Sequence, residues 1–227
     1  MRNIIDTDLS NEEGKKVFKK IVSLIHKDLK KYGFKKEGVN SSYRIINNVY
    51  QVFHYQKNKH NNSFTINTCI RPISWNRPES YYILSSRRVG HYETESDKWY
   101  IIDSNYIETS MIVSKIIKEK IMPVFERLNS TLQISQSKSF IKLNKIYDFD
   151  VELSSVIEEN LTDISLKLLN IKILELEDIN IEWAKKDLSY FLKIKELIEV
   201  DKWNDVNKIL DNNKLEFYKI NKKIKKE

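Results

Sequence analysis

Apolar residues recur at a 3.6-residue period in the first part of the chain: Val17, Phe18, Ile21, Val22, Ile25 and Leu29 form one stripe. Ser10 followed by Glu13 reads as a capping box before the stripe, and Gly33 ends it, so the pattern predicts one helix over residues 11–32. The period then changes to two. Tyr43 to Ile46, Val49 to Gln56 and Ser63 to Arg71 are rich in aromatic and β-branched residues and are separated by Asn47-Asn48 and by Asn58 to Asn62. Short Asn-rich connections read as hairpins, which makes these strands antiparallel neighbours. Two further strands are predicted at Tyr81 to Val89 and Trp99 to Asp103, joined by a polar hairpin from Gly90 to Lys98. Pro72 and Pro78 confine residues 72–78 to a loop, because proline cannot donate to a ladder.

Beyond the sheet the helical period returns. Ile107, Met111, Ser114 and Ile117 or Lys118 describe a helix, and Pro123 opens a short one carrying Val124, Phe125 and Leu128. Residues 129–140 are dominated by Ser, Asn, Thr and Gln, the composition of a connection. After it, Val156, Ile157, Leu161 and Ile164 suggest one helix and Ala184, Leu188, Phe191, Leu192 and Ile198 a second. Trp203, Val206, Ile209 and Leu210 suggest a third, with Asp201 as its N-cap. The predicted fold is α+β: an antiparallel sheet of four or five strands with the N-terminal helix on one face, followed by a helical C-terminal subdomain. The expected domains are an α+β domain over 1–130, a polar connection over 131–150 and a helical subdomain with a Lys-rich tail over 151–227.

A chain of 227 residues can bury a core without disulfides or metal. Cys69 is the one cysteine, so no intramolecular disulfide forms and a reducing compartment is the natural reading. The first sixteen residues reach charge before a secretory apolar run develops, and no apolar stretch approaches the ~20 residues of a membrane span. A cytoplasmic protein without membrane partners is expected. The net charge of +7 is unevenly spread: residues 1–150 hold 25 basic against 16 acidic side chains, residues 151–218 hold 9 against 15, and the last nine residues hold five against one. A basic N-terminal part invites a phosphate-bearing or acidic partner, although lysines at helical spacing also make an ordinary solvated face.

Strand parity decides which residues share a face. Phe64, Ile66 and Ile70 point one way and Thr65, Asn67, Cys69 and Arg71 the other. Val49, Phe53 and Tyr55 join the apolar side, which leaves Val52, His54 and Gln56 on the polar one. The first helix is expected over the apolar face, with Phe64 and Trp99 in or beside the core. The opposite face then carries His54, Gln56, Asn67 and Arg71, with Arg87 or Arg88 and Trp99 near by. Arginine forks, amides and an aromatic ring can hold a carboxylate, a phosphate or an acidic protein loop, and the same residues also suit a solvated sheet face.

Seven short patterns run in order through this region: Gly33-Phe34-Lys35-Lys36, Tyr43-Arg44, Gln51-Val52-Phe53, Gln56-Lys57, Phe64-Thr65-Ile66-Asn67, Arg87-Arg88-Val89-Gly90 and Asp97-Lys98-Trp99-Tyr100. In order and spacing they resemble a bacterial family catalogued as domain of unknown function 4304, over roughly residues 12–130. The resemblance implies no activity. It does place Gln56, Asn67 and Arg88 inside the family-like motifs.

No catalytic, cofactor or metal residues are assigned. Four glycines, at 14, 33, 38 and 90, build neither a phosphate loop nor a dinucleotide fingerprint. His26, His54, His60 and His91 lack zinc spacing, Cys69 reads as a strand residue, and His91, Glu93, Glu95 and Asp97 fit an exposed loop as well as a cation site. Three function classes remain. The first is a protein-interaction module with a protein partner, for example an immunity-type protein that neutralises a toxin. The second is a nucleic-acid or anionic-ligand binder using Trp75, Arg77, Tyr81, Tyr82, Arg87 and Arg88. The third is an enzyme on an anionic small molecule, which needs His54 or His91 to meet a carboxylate.

Overall fold

A computed structural model of the chain describes residues 8–73, 87–94, 96–137 and 148–223. Helix α1 spans Asn11–Leu29 and starts with a complete capping box: the Glu13 N–H donates to Ser10 Oγ, and the Ser10 N–H donates to the Glu13 carboxylate at 2.9 Å. A 3₁₀ turn over Lys30–Tyr32 carries the chain to Gly33, whose φ of 82° supplies the left-handed stop. Gly14, Phe18, Ile21, Val22, Ile25 and Leu29 form the buried face of α1, the stripe the periodicity gives with Gly14 added and Val17 only half-buried at its margin.

Among the described residues six strands follow: β1 (Lys35–Glu37), β2 (Ser41–Ile46), β3 (Val49–Lys57), β4 (Ser63–Pro72), β5 (Arg87–Arg88) and β6 (Tyr100–Ile101). Their order is β1-β2-β3-β4-β5, with β6 also on β4. The β2–β3 hairpin turns on Asn47 and Asn48, both at positive φ (44° and 63°), the geometry of a two-residue type I′ turn. Strand β1 is an addition to the expected sheet, since Lys-Lys-Glu carries no apolar alternation; it pairs antiparallel with β2, Lys36 opposite Ser42.

The stretch between β5 and β6 is not a hairpin. It holds a one-turn helix α2 (His91–Thr94), and the two flanking strands pair with β4 instead of with each other. Asn67 faces Arg88 at the middle of β4, and Phe64 faces Tyr100 near its start. Because β3 occupies the opposite edge of β4, β5 and β6 share one edge end to end. A Cβ added at Gly90 would lie 2.5 Å from the Lys98 Cβ, so the return of the chain past β5 depends on glycine. The expected strand residues 81–86 lie outside the described residues.

Phe34, Phe53 and Phe125 stack in the centre of the core, and Phe64 meets Phe18 of α1 at 6.0 Å between ring centroids. Helix α3 (Tyr106–Ile116) packs beside α1 and runs through a π turn (Ile117–Ile121) into α4 (Met122–Arg127). Pro123 in the first turn of α4 has no N–H for the Glu119 carbonyl, and the wide turn falls at this interruption.

By contact the described residues form two units, one ending at Asn129 and a second that takes in Pro72, Ile73 and the residues from Ser130 onward. This unit is helical: α5 (Thr131–Gln136), α6 (Asp148–Glu158), α7 (Thr162–Glu177), α8 (Glu182–Glu199) and α9 (Trp203–Lys223). Its own core gathers Leu153, Val156, Leu169, Ile194, Ile198 and Val206. Two details correct the sequence reading. The stripe from Val156 to Ile164 is not one helix: Asn160 takes φ 54°, the Leu161 N–H returns to the Val156 carbonyl, and α7 begins afresh. Asp201 is not the N-cap of α9. It sits at φ 55° and closes α8, with the Lys202 N–H donating to the Leu197 carbonyl.

Candidate functional site

The parity argument holds on β3 and β4 except at Thr65, which parity places on the outer side but which is buried and donates to the Lys98 carbonyl. Val49, Phe53, Tyr55, Phe64, Ile66 and Ile70 are buried, whereas Val52, His54 and Asn67 are half-buried and Gln56 is exposed on the other side. On this outer face side chains from four strands line up. His54 Nδ1 lies 3.1 Å from Ser41 Oγ on β2, and Asn67 Nδ2 donates to Gln56 Oε1 at 3.2 Å between β4 and β3. Arg88 stands opposite Asn67 and shares its side of the sheet. The Arg88 guanidinium lies over the Trp99 ring, 5.2 Å from its centroid, and is ion-paired with Asp97. A half-buried arginine is thus held in one orientation by a ring and a carboxylate, beside two amides.

Arg87 is turned to the opposite side. It stands across from buried Thr68, its guanidinium lies 4.7 Å from the Tyr92 centroid, and its Nη2 donates to the His91 carbonyl. Two adjacent arginines in a strand must diverge; Arg87 fastens α2, and Arg88 faces outward. The Arg71 side chain lies outside the described residues. Of the sequence candidates, the structure therefore brings His54, Gln56, Asn67, Arg88 and Trp99 to one face.

Glu93 and Asp97 near α2 are engaged locally, and Glu95 lies outside the described residues. Glu93 accepts from Lys98 Nζ at 2.8 Å, and Asp97 holds Arg88. Among the described residues no group of three or more His, Cys, Asp or Glu is placed to hold a metal ion. Cys69 is half-buried in β4.

Burial lowers the His54 pKa below the ordinary 6.5. A histidine whose folded pKa is depressed takes up protons more readily when unfolded, so stability falls as pH drops below about 6.5 and is complete above it. His26 is shifted the same way, chiefly by burial and then by Lys36. The melting midpoint is expected to fall between pH 7.5 and pH 5.5. His54→Gln should flatten that slope without removing it, because His26 still titrates.

A second polar cluster escaped the sequence reading. Gln51 has core parity between Val49 and Phe53 and is fully buried, and Arg44 beside it is only 8% exposed. Arg44 Nε donates to Gln51 Oε1 (2.8 Å), Nη1 to the Tyr32 carbonyl (2.9 Å) and Nη2 to Glu126 (2.8 Å), while its guanidinium lies over the Phe34 ring. Gln51 Nε2 donates in turn to the carbonyls of Phe125 and Leu128. The cluster ties the end of α1, strands β2 and β3 and helix α4 together. The signal was present in Gln51 itself, an amide among apolar residues on the inward side. Next to it, Ser42 Oγ lies 2.9 Å from both His26 Nδ1 and Tyr55 Oη, which joins α1 to the sheet.

The motifs thus divide by role. Phe34, Arg44, Gln51, Phe53 and Phe64 build the interior, and Gln56, Asn67, Arg88, Asp97 and Trp99 build the outer row. No helix among the described residues is long and apolar enough to cross a membrane. No curated protein and no solved structure matches the chain. Residues 25–127, which contain the outer row and all of the interior network but Leu128, match the family described as Domain of unknown function (DUF4304).

Proposed function

We propose that the protein is an interaction module that holds a protein partner through the Arg88 and Trp99 end of the outer sheet face. The observation that carries this reading is the arginine fixed between Asp97 and the Trp99 ring, in line with Asn67 and Gln56. Arginine and tryptophan are the commonest anchors of protein interfaces, and a side chain already held in one orientation loses less entropy on binding. The amides at Gln56 and Asn67 supply donors and acceptors that pair with a partner's backbone. In the immunity-type form of this reading the partner is a toxin; co-expression with the product of the adjacent gene tests that form.

Two features weigh against a phosphate-binding surface. Arg88 shares its charge with Asp97, and Arg87 faces the other side of the sheet. Trp75, Arg77, Tyr81 and Tyr82, which would extend such a surface, lie outside the described residues. The enzyme reading requires a carboxylate at His54 or His91, and His54 meets the Ser41 hydroxyl instead.

Titration with single-stranded and duplex oligonucleotides tests the choice. Near physiological salt the expected binding is negligible. Affinity of about micromolar or better at low salt, falling steeply as salt rises and lost in Arg87→Ala with Arg88→Ala, would overturn the reading in favour of nucleic acid.

A further inference from the structure

Helix α7 (Thr162–Glu177) is apolar on two sides. Its inner side, where Ser165, Leu168, Leu169, Ile173 and Leu176 are buried, packs against α6 and α8 of the helical unit. Its outer side displays Ile164, Ile171 and Leu174, which are 47%, 40% and 64% exposed. A surface helix ordinarily carries one apolar stripe, and a second one facing water marks an interaction surface. The order of residues on the outer side identifies the partner. Ile164, Lys167, Ile171, Leu174 and Asp178 follow at spacings of three, four, three and four, the a and d seam of a coiled coil. Lys167 and Asp178 are exposed, and neither has an ion pair among the described residues. In an antiparallel pair the a positions of one helix meet the d positions of the other. Two copies of this seam then bring Ile171 against Leu174 of the second copy and Lys167 against Asp178 of the second copy, each contact occurring twice about a two-fold axis. One register satisfies both, because both pairs are centred between residues 172 and 173. The same register sets Ile164 against Ile181, the exposed residue that precedes α8. A parallel pair would set Lys167 against Lys167 and Asp178 against Asp178, like charge against like.

We propose that the outer side of α7 is the contact face of a homodimer in which two copies of the chain pair antiparallel through this seam. Of the acids beside it, Glu175 is held by Lys172 at 3.6 Å, whereas Asp163 and Glu177 add like charge across the axis. The apolar layers therefore supply the affinity, and the Lys167 and Asp178 contacts set the direction. A seam of one helix buries less than the ~1,200 Å² at the low end of stable interfaces, so the dimer is weak and concentration-dependent. The proposal is independent of the reading given to the sheet face.

Sedimentation equilibrium of the full chain from micromolar to millimolar concentration tests it. The expected result is a reversible equilibrium between monomer and dimer. Leu174→Glu should weaken the dimer by at least about tenfold, since a buried leucine is lost from each copy. Lys167→Asp should weaken it by about fivefold. Adding Asp178→Lys to that variant should restore the parent affinity, because the exchange returns opposite charges to both contacts. A chain that stays monomeric throughout, an assembly larger than a dimer, or a dimer indifferent to Leu174→Glu would overturn the proposal. So would a dimer that Lys167→Asp leaves unchanged or that the double exchange fails to restore. Should Leu174→Glu melt differently from the parent, the single and double charge exchanges decide alone.

Discussion

Phe64→Ala is expected to destabilise the α+β unit by about 3–5 kcal/mol and to lower its melting midpoint by on the order of 10 °C. Phe64 is fully buried at the junction of three elements, with its ring 6.0 Å from Phe18 of α1 and 5.6 Å from Tyr100 of β6. Truncation to alanine removes the transfer free energy of a whole ring and opens a cavity that neither the helix nor the sheet edge can easily close. Differential scanning calorimetry or a urea titration reads the effect. An unchanged midpoint would mean that β4 presents its other face to α1, which would invert every assignment of inner and outer residues made above.

The second large effect concerns the buried polar network, where the single and double replacements behave differently. Gln51→Leu leaves the carbonyls of Phe125 and Leu128 and one Arg44 N–H without their partner. Each orphaned buried group costs about 1–3 kcal/mol, so a total loss of about 2–4 kcal/mol is expected after partial relaxation. Arg44→Met strips the Gln51 and Tyr32 carbonyl oxygens and releases the half-exposed Glu126, with a loss of similar size. Because the two changes remove partners of each other, Arg44→Met with Gln51→Leu should cost clearly less than the sum of the single losses. Additive losses in a double-mutant cycle would show that the two side chains stabilise the fold independently.

The first of these predictions rests on what the sequence made legible and the second on a network that it hid. Periodicity and capping identified α1 from Ser10 to Gly33 because both ends carry side chains with specific local chemistry. Parity assigned the inner and outer faces of β3 and β4 because one face is packed and a one-residue slip would exchange them. Neither rule reaches pairings that depend on how distant segments return. Strands β5 and β6 sit end to end on β4 because Gly90 lets the chain fold back against Lys98, and no alternation in residues 87–101 announces that. Likewise, Asn160 and Asp201 stop helices by adopting positive φ, a choice open to Asn and Asp but not dictated by either.

The candidate row was legible in part for the same reason. Gln56 and Asn67 follow from parity, and Arg88 was separable from Arg87 once its register against Asn67 was known. The Arg44 and Gln51 network was hidden because a polar residue on an inward position becomes interpretable only when its partners, Tyr32, Phe125, Glu126 and Leu128, are brought to it by the fold.

The central claim is that the outer face near Arg88 and Trp99 contacts a protein. Gln56 is exposed on that face and offers a position for a photo-reactive residue that leaves the core untouched. Crosslinking from position 56 in the native host, with the adduct analysed by protease and by nuclease digestion, reads the contact directly. The account predicts one discrete protease-sensitive adduct that disappears when Arg88→Ala and Trp99→Ala are introduced together. A nuclease-sensitive adduct, or a protein adduct indifferent to those two substitutions, would contradict it.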